Sequence, residues 1–536
     1  MEEFDYIVIG AGSAGCVVAA RLAELPGNRV CVVEAGPRDW HPYIHIPVGW
    51  MKLMGNQAVN WMYETEPSAW TGGRRIAVPR GKVLGGSSSI NGNVFNRGAP
   101  SDFDHWAQRG NPGWGYADIL PLFKKLESWA GPEDGQANEL RGRRGGLKVT
   151  PSPWTHPLCE AFLDAAESFG IPRNPDYNGA QQFGAAYTQR TISGGLRQSS
   201  ATAFLKPALK QSNIALKTGA QVTRLDFDGR RATGITYRQN GQLKSIRARR
   251  EIILCGGVIN SPQLLQVSGV GDPQHLEKIG VSVLHGLPGV GANLRDHFTP
   301  RFTARVKGTT TFNERSRGFA FLKETAKWMT GQPSILSLPA TACYAFAKSD
   351  PVLDDSDLQI TFMPASYKEG VQSQLDDQPG MTLAAWQQRP ESTGFVRARS
   401  ADPFERPEIQ PNYLSAPEDQ QVLLAGLKLV RQLMRSKPMQ PYFDGEIYPG
   451  EAVQSDEDLL NTARERGTTT FHMMGTCRMG PSQDPSSVVD HELKMRGIDG
   501  LRIADASIMP TMPAANTNAS CLLIGEKAGA LLTGQK

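Results

Sequence analysis

A mixed α/β fold, α+β overall, is what the sequence predicts: a Rossmann-like domain plus a second domain with an antiparallel sheet covered by helices. Three observations carry that prediction. The apolar run Phe4-Asp5-Tyr6-Ile7-Val8-Ile9 meets the turn Gly10-Ala11-Gly12-Ser13-Ala14-Gly15, and a second apolar run, Val30 to Val33, ends on Glu34. Residues 500–505 read as a short strand ending on an aspartate, Asp505. Residues 300–455 change character, with weak alternation, scattered aromatics and Asp-Pro and Gln-Pro breaks.

The opening unit reads as strand, glycine turn, helix, strand and acid. Gly10 permits the tight turn, Gly12 lets backbone approach a pyrophosphate, and Gly15 lets the helix pack close to the strand. The helix N-terminus then turns free N–H groups toward phosphate. Glu34 lies about twenty residues beyond, where a carboxylate accepts from adenosine ribose hydroxyls and favours an unphosphorylated ribose. This pattern predicts a dinucleotide and does not by itself separate FAD from NAD. Between 80 and 95, glycines and hydroxyls beside an apolar segment form backbone able to lie against a planar ligand. Residues 214–228 and 232–237 alternate as strands around an Asp-Gly turn. The run 252–255 is a buried strand, and Ser261-Pro262 predicts a helix start with proline at the first helical position. Ala416-Pro417 opens a further amphipathic helix.

With 536 residues the chain exceeds one ordinary core, so two domains sharing one site are expected. The expected division is 1–155, 191–300 and 456–536 for the cofactor domain, and 156–190 and 301–455 for the substrate domain. The formal net charge of +4 is spread along the chain, which excludes a nucleic-acid surface. The basic runs 141–144 and 247–250 read as solvated loop and strand-end charge. The absence of a long uncharged apolar run excludes a transmembrane helix, and a strand beginning near residue 4 leaves no room for a signal peptide, so a cytoplasmic location is expected. Seven dispersed cysteines without CxxC spacing argue against disulfides and against a metal site.

Four segments together resemble the glucose/methanol/choline (GMC) oxidoreductases over nearly the whole chain: the 10–15 turn with Glu34, residues 81–92, residues 257–271, and residues 471–480 with Asn516-Thr517-Asn518. Val258 and Met473 depart from the usual pattern, as packing variations. The resemblance implies FAD. It places Gly10, Gly12, Ser13, Ala14, Gly15, Glu34 and Ala35 around the ADP half, with the Val222 backbone at the adenine. Val83, Gly86, Asn91, Gly92, Asn93 and Val94 would line the isoalloxazine and ribityl region, with Asp505, Ala506, Asn516 and Thr517 completing the cradle. Ile90 stands where some relatives carry a histidine that bonds to the flavin, which implies non-covalent FAD.

Alcohol oxidation removes a proton from oxygen and a hydride from carbon, and an imidazole suits the first task. His472 matches the family's catalytic histidine, and Asn516 the second active-site position, where its amide could stabilise developing negative charge or cap the following helix. The other histidines, His297 included, read as structural. Many relatives carry a glutamate at the position aligned with Ala342, and residues 339–346 contain no acid, so the pocket is expected to be neutral and apolar and to take an uncharged primary alcohol, aliphatic or aromatic. Oxygen and a quinone remain equally open as electron acceptor. The same family also includes cyanohydrin lyases and light-driven fatty-acid decarboxylases, a second reading that the sequence leaves standing.

Overall fold

The computed structural model describes residues 1–133, 139–368 and 373–534. Its larger sheet runs in the order Ile214–Lys217, Val30–Val33, Glu2–Ile9, Gln242–Leu254, Arg231–Gln239, Ala220–Asp228, with Leu501–Ile503 also paired to Gln242–Leu254. The first four of these strands, together with Leu501–Ile503, are mutually parallel, whereas the last three on the path form an antiparallel meander. Parallel strands are covered on both faces, which is why Ile7, Val8, Val30, Val32, Ile252 and Leu254 are all buried. Helix Ser13–Ala23 lies over this sheet and packs against helix Thr517–Thr533, so sequence-distant segments close one core.

The second sheet is antiparallel throughout, in the order Phe443–Tyr448, Arg301–Val306, Gly380–Gln387, Leu358–Met363, Cys343–Ala347, Gly184–Tyr187. Its strands alternate between two faces. Phe302, Ile360, Phe362, Leu383 and Ala385 face a core completed by Leu423, Leu427 and Val430 of helix Pro417–Arg435. Arg301, Thr361, Thr382, Ala384 and Trp386 face the other way, into a cavity.

Two sequence expectations are corrected. Helix Gly257–Val267 begins a turn before Ser261, so Pro262 sits inside it. Proline has no N–H to give the carbonyl four residues back. That carbonyl, on Val258, instead accepts from the Thr476 hydroxyl at 2.6 Å. Proline ordinarily avoids an interior helical position, but here a tertiary donor takes up the freed carbonyl. The second correction is Arg141, which is buried rather than solvated. Its Nε meets Glu127 Oε1 at 2.8 Å and its Nη1 meets Asp176 at 2.6 Å, while Arg97 Nη2 reaches the same Glu127 oxygen at 2.6 Å. Glu127 supplies the compensating charge that a local reading of a basic run cannot see.

Candidate active site

The cofactor cradle follows from backbone geometry. Gly10 has φ +95°, and a Cβ there would lie 2.4 Å from the Cys255 carbonyl oxygen; a Cβ on Gly15 would lie 2.0 Å from the Gly10 oxygen. Only hydrogen fits at either position, so the helix starts hard against the strand end. A Cβ on Gly12 would meet nothing within 4 Å, because this residue faces open space. That space is a cavity of about 1280 Å³ lined by Gly10, Gly12, Ser13, Ala14, Glu34, Ala35, Gly86, Val222, Asp505, Ala506 and Thr517, among others. A second cavity, of about 1470 Å³, includes Ile90, Asn91, Gly92, Asn93, Val94, His472 and Asn516 in its wall. Ser13, Arg80, Ser87, Phe471, Thr517 and Cys521 line both, so the two spaces share a wall and form one elongated site. Gly15 and Val83 line neither: Gly15 is packed under the turn, and Val83 lies in an apolar cluster with Ile44, Leu53, Val59 and Ile90.

Two carboxylates shape the first cavity. Glu34 Oε2 accepts from Ala11 N and Oε1 from Gly36 N, both at 2.8 Å, which fixes the side chain at the strand end. Burial raises its pKa, and the two amide bonds oppose that rise. Each oxygen keeps a lone pair for a ribose hydroxyl. Asp505 Oδ2 accepts from Gly257 N at 2.8 Å and from the Ser261 hydroxyl at 2.6 Å, tying the strand Leu501–Ile503 to the helix Gly257–Val267. A dinucleotide fits this donor set and shape: open space over Gly12, a helix N-terminus, and two acids fixed by hydrogen bonds.

In the second cavity the polar groups form an ordered chain. The Gln388 carbonyl lies 2.6 Å from His297 Nε2; a carbonyl can only accept, so Nε2 carries the proton. Burial holds His297 neutral, its pKa pushed down to about 4, so its Nδ1 is an acceptor. His472 Nδ1, 2.9 Å away, must therefore be the donor. Its proton is shared with Thr470 Oγ1 at 2.8 Å. The lone pair of His472 is left on Nε2, facing Asn516 Nδ2 at 2.9 Å. Burial, with smaller contributions from His297 and Arg80, holds the His472 pKa well below the ordinary histidine range. The ring is thus a neutral base with its lone pair aimed into the cavity.

Neighbouring elements hold this ring in place. Asp296 Oδ1 accepts from the backbone N–H groups of His472 (2.8 Å) and His297 (2.9 Å), and its Oδ2 from Tyr413 (2.6 Å). Phe471, just before the base, has φ +69°, an uncommon left-handed conformation for a side-chain-bearing residue. Arg80 Nη1 anchors it through the Phe471 carbonyl at 3.0 Å. Asn516 occupies the N-cap position of helix Thr517–Thr533, yet its side chain does not cap. It accepts instead from Tyr344 Oη at 3.1 Å, which turns its NH₂ toward His472.

His297, read from the sequence as structural, is a direct partner of His472. The two are 175 residues apart, and no local pattern connects them. Trp386, its ring centroid 6.2 Å from that of His472, likewise carries no local signal in the sequence. The expectation of a neutral pocket is also corrected. Among the described residues no carboxylate lines the second cavity, while two guanidinium groups, Arg80 and Arg301, do. Ala342 belongs to the apolar core and not to the cavity wall. Glu391 pairs with Arg295 and Asp357 accepts from Ser349, and neither lines the cavity.

Comparison with known proteins places this site in a family. Residues 4–299 and 390–525 match the N-terminal and C-terminal models of the GMC oxidoreductases. An oxygen-dependent choline dehydrogenase of Staphylococcus xylosus is 37% identical over 540 residues, covering 100% of this chain and 96% of that protein. An alcohol dehydrogenase [acceptor] of Pseudomonas putida is 38% identical over 535 residues, covering 99% and 95%. Pyridoxine 4-oxidase from Mesorbium loti superposes with a TM-score of 0.90 at 29% identity, covering 99% of this chain and 100% of that one. The chain belongs to the GMC oxidoreductases, FAD-dependent enzymes that act on CH–OH donors.

Proposed function

We propose that the protein oxidises a primary alcohol that bears no positive charge, aliphatic or aromatic, to the aldehyde. The observation that carries this reading is the hydrogen-bond order from Gln388 through His297 to His472, which leaves a lone pair on Nε2. An alcohol entering between Nε2 and Asn516 Nδ2 donates its proton to the former and accepts from the latter as negative charge grows on oxygen. Bound FAD supplies the acceptor for the hydride leaving the adjoining carbon. The apolar wall of Trp50, Met54, Ile90, Met363 and Trp386 suits a hydrocarbon substituent and keeps water from the base. The cofactor-domain and substrate-domain boundaries given above, and the residues named for the ADP half and the flavin, form part of the same reading.

Ile90 in the cavity wall supports non-covalent FAD, because its side chain offers no nucleophile. The cysteines are unpaired and six of the seven are buried, which suits a reducing, intracellular compartment. The test is anaerobic. A panel of simple alcohols is mixed with purified yellow protein and the flavin absorbance followed; bleaching is expected with at least one. No bleaching with any alcohol, together with turnover of a cyanohydrin or light-dependent loss of carbon dioxide from a fatty acid, would select the non-redox alternative. Repetition in air with peroxide detection, and then with a quinone, assigns the electron acceptor. Acid precipitation is expected to release the yellow colour into the supernatant.

A further inference from the structure

Helix Gly318–Met329 is built inside out. Phe319, Leu322, Ala326 and Met329 follow i, i+3, i+7 and i+10, one stripe on a helix of 3.6 residues per turn. Such a stripe ordinarily faces the core. Here Phe319 is 82% exposed, Leu322 63% and Met329 76%, and the buried side chain of the helix is its one carboxylate, Glu324. Glu324 accepts from Ile335 N at 3.0 Å and pairs with Arg315 at 2.9 Å. That network, and the Trp328 indole donating to the Gly195 carbonyl at 2.9 Å, fix which side of the helix points inward. The outward apolar stripe is therefore set by the fold.

We propose that this helix seats the protein on an anionic lipid bilayer, lying in the interface plane with Phe319, Leu322 and Met329 among the acyl chains. The charge pattern selects this occupant. With Glu324 turned inward, the one exposed charge on the helix is basic, Lys323, and half-buried Lys327, which reaches Glu324 at 3.4 Å, lies on the same shoulder of the stripe. The Lys323 stem can lie along the apolar surface while its head reaches phosphate, the arrangement of an interfacial amphipathic helix. A second copy of this chain docked about a two-fold axis would set that stripe against itself and bring the same lysine shoulders together, which like-charge repulsion disfavours. The surroundings extend the surface. Leu196 is exposed on the hairpin that accepts the Trp328 bond, and Arg197 of that hairpin holds the Ile44 carbonyl beside exposed Tyr43.

Position relative to the catalytic cavity gives the docking a use. The helix packs on residues 335–337, these pack on 47–49, and the next turn carries Trp50 and Met54 into the cavity wall. An apolar alcohol concentrates in lipid, so a bilayer on this face delivers substrate to the side of the protein where that wall lies.

The test is co-sedimentation of the FAD-loaded protein with vesicles of phosphatidylglycerol and phosphatidylcholine in equal parts, alongside pure phosphatidylcholine. Binding is expected to the mixed vesicles, weaker to the neutral ones, and weakened by salt. Replacing the stripe (Phe319→Glu, Leu322→Glu and Met329→Glu together) is expected to lower vesicle affinity about tenfold or more. Lys323→Glu is expected to lower it about fivefold. Turnover of a water-soluble alcohol should be unchanged in both, since none of these residues lines either cavity, and unchanged turnover also certifies folding. No binding by the parent protein, equal binding by the stripe variant, or a dimer in light scattering that the stripe variant dissolves would each overturn the proposal.

Discussion

At the scale of single residues the decisive feature is a tautomer set from a distance. The Gln388 carbonyl can only accept, and that one fact fixes the protons on His297 and then on His472. His472→Ala is expected to slow anaerobic flavin reduction about a hundredfold or more, the usual scale for a positioned proton acceptor, with FAD content near normal. His297 acts through its neighbour and is a positioning residue. His297→Leu should leave the Nδ1 proton to Thr470 alone, loosen the ring and slow reduction about tenfold, whereas His297→Asn, whose side-chain oxygen can accept that proton, should recover most of the rate. Stopped-flow reduction of the three variants checks both statements; equal losses in the leucine and asparagine forms would mean that His297 only fills space. His472 was legible in the sequence because a Phe-His context with glycines and a downstream Asn-Thr-Asn forms a pattern. His297 was not, because its meaning is a contact across 175 residues.

At the scale of elements, sequence patterning located what is periodic and missed what is compensated. The strand Glu2–Ile9, the hairpin of Ala220–Asp228 with Arg231–Gln239, and the helix Pro417–Arg435 all carry their periods in full view. Helix Gly257–Val267 hid its true start because Thr476 accommodates the proline. The Arg97, Arg141 and Glu127 cluster was hidden for the same reason. It joins strand Glu127–Trp129 to the segments around it, and although burial alone would raise the Glu127 pKa, the two guanidinium groups outweigh it and hold the carboxyl low. Glu127→Ala would leave two buried cations without their shared partner, so it should cost about 3 kcal/mol or more. Differential scanning calorimetry is expected to find a clearly lower Tm, while Glu3→Ala, exposed on the first strand, should change little.

At the scale of the molecule, charge and pH behaviour follow from what the cavity and core enclose. With Arg80 and Arg301 in the wall and no carboxylate among its described residues, a quaternary ammonium meets repulsion as well as desolvation. An uncharged alcohol of similar size should exceed choline in kcat/KM by at least about tenfold, and parallel steady-state assays decide it; equal values would require an acid that reaches the site from elsewhere. For stability, His297 titrates near 6.5 when unfolded and at about 4 when folded. The unfolded chain takes the proton first, so this histidine leaves stability unaffected above about pH 6.5, erodes it progressively down to about pH 4, and then levels off, a total on the order of 3 kcal/mol. Urea unfolding at a series of pH values should show that acid-side loss, and His297→Asn should lessen it. The packing of helix Ser13–Ala23 against Thr517–Thr533, with Ser13 donating to Asn518 and Arg21 paired to Glu526, bears on how the protein is made. A ribosome adding about 5–20 residues per second finishes the glycine turn roughly half a minute to two minutes before it reaches Asn516, so the nascent chain holds half a flavin site through nearly all of its synthesis. Cofactor capture is then a late event, and a chain stalled before residue 516 should emerge colourless however well its first sheet has formed.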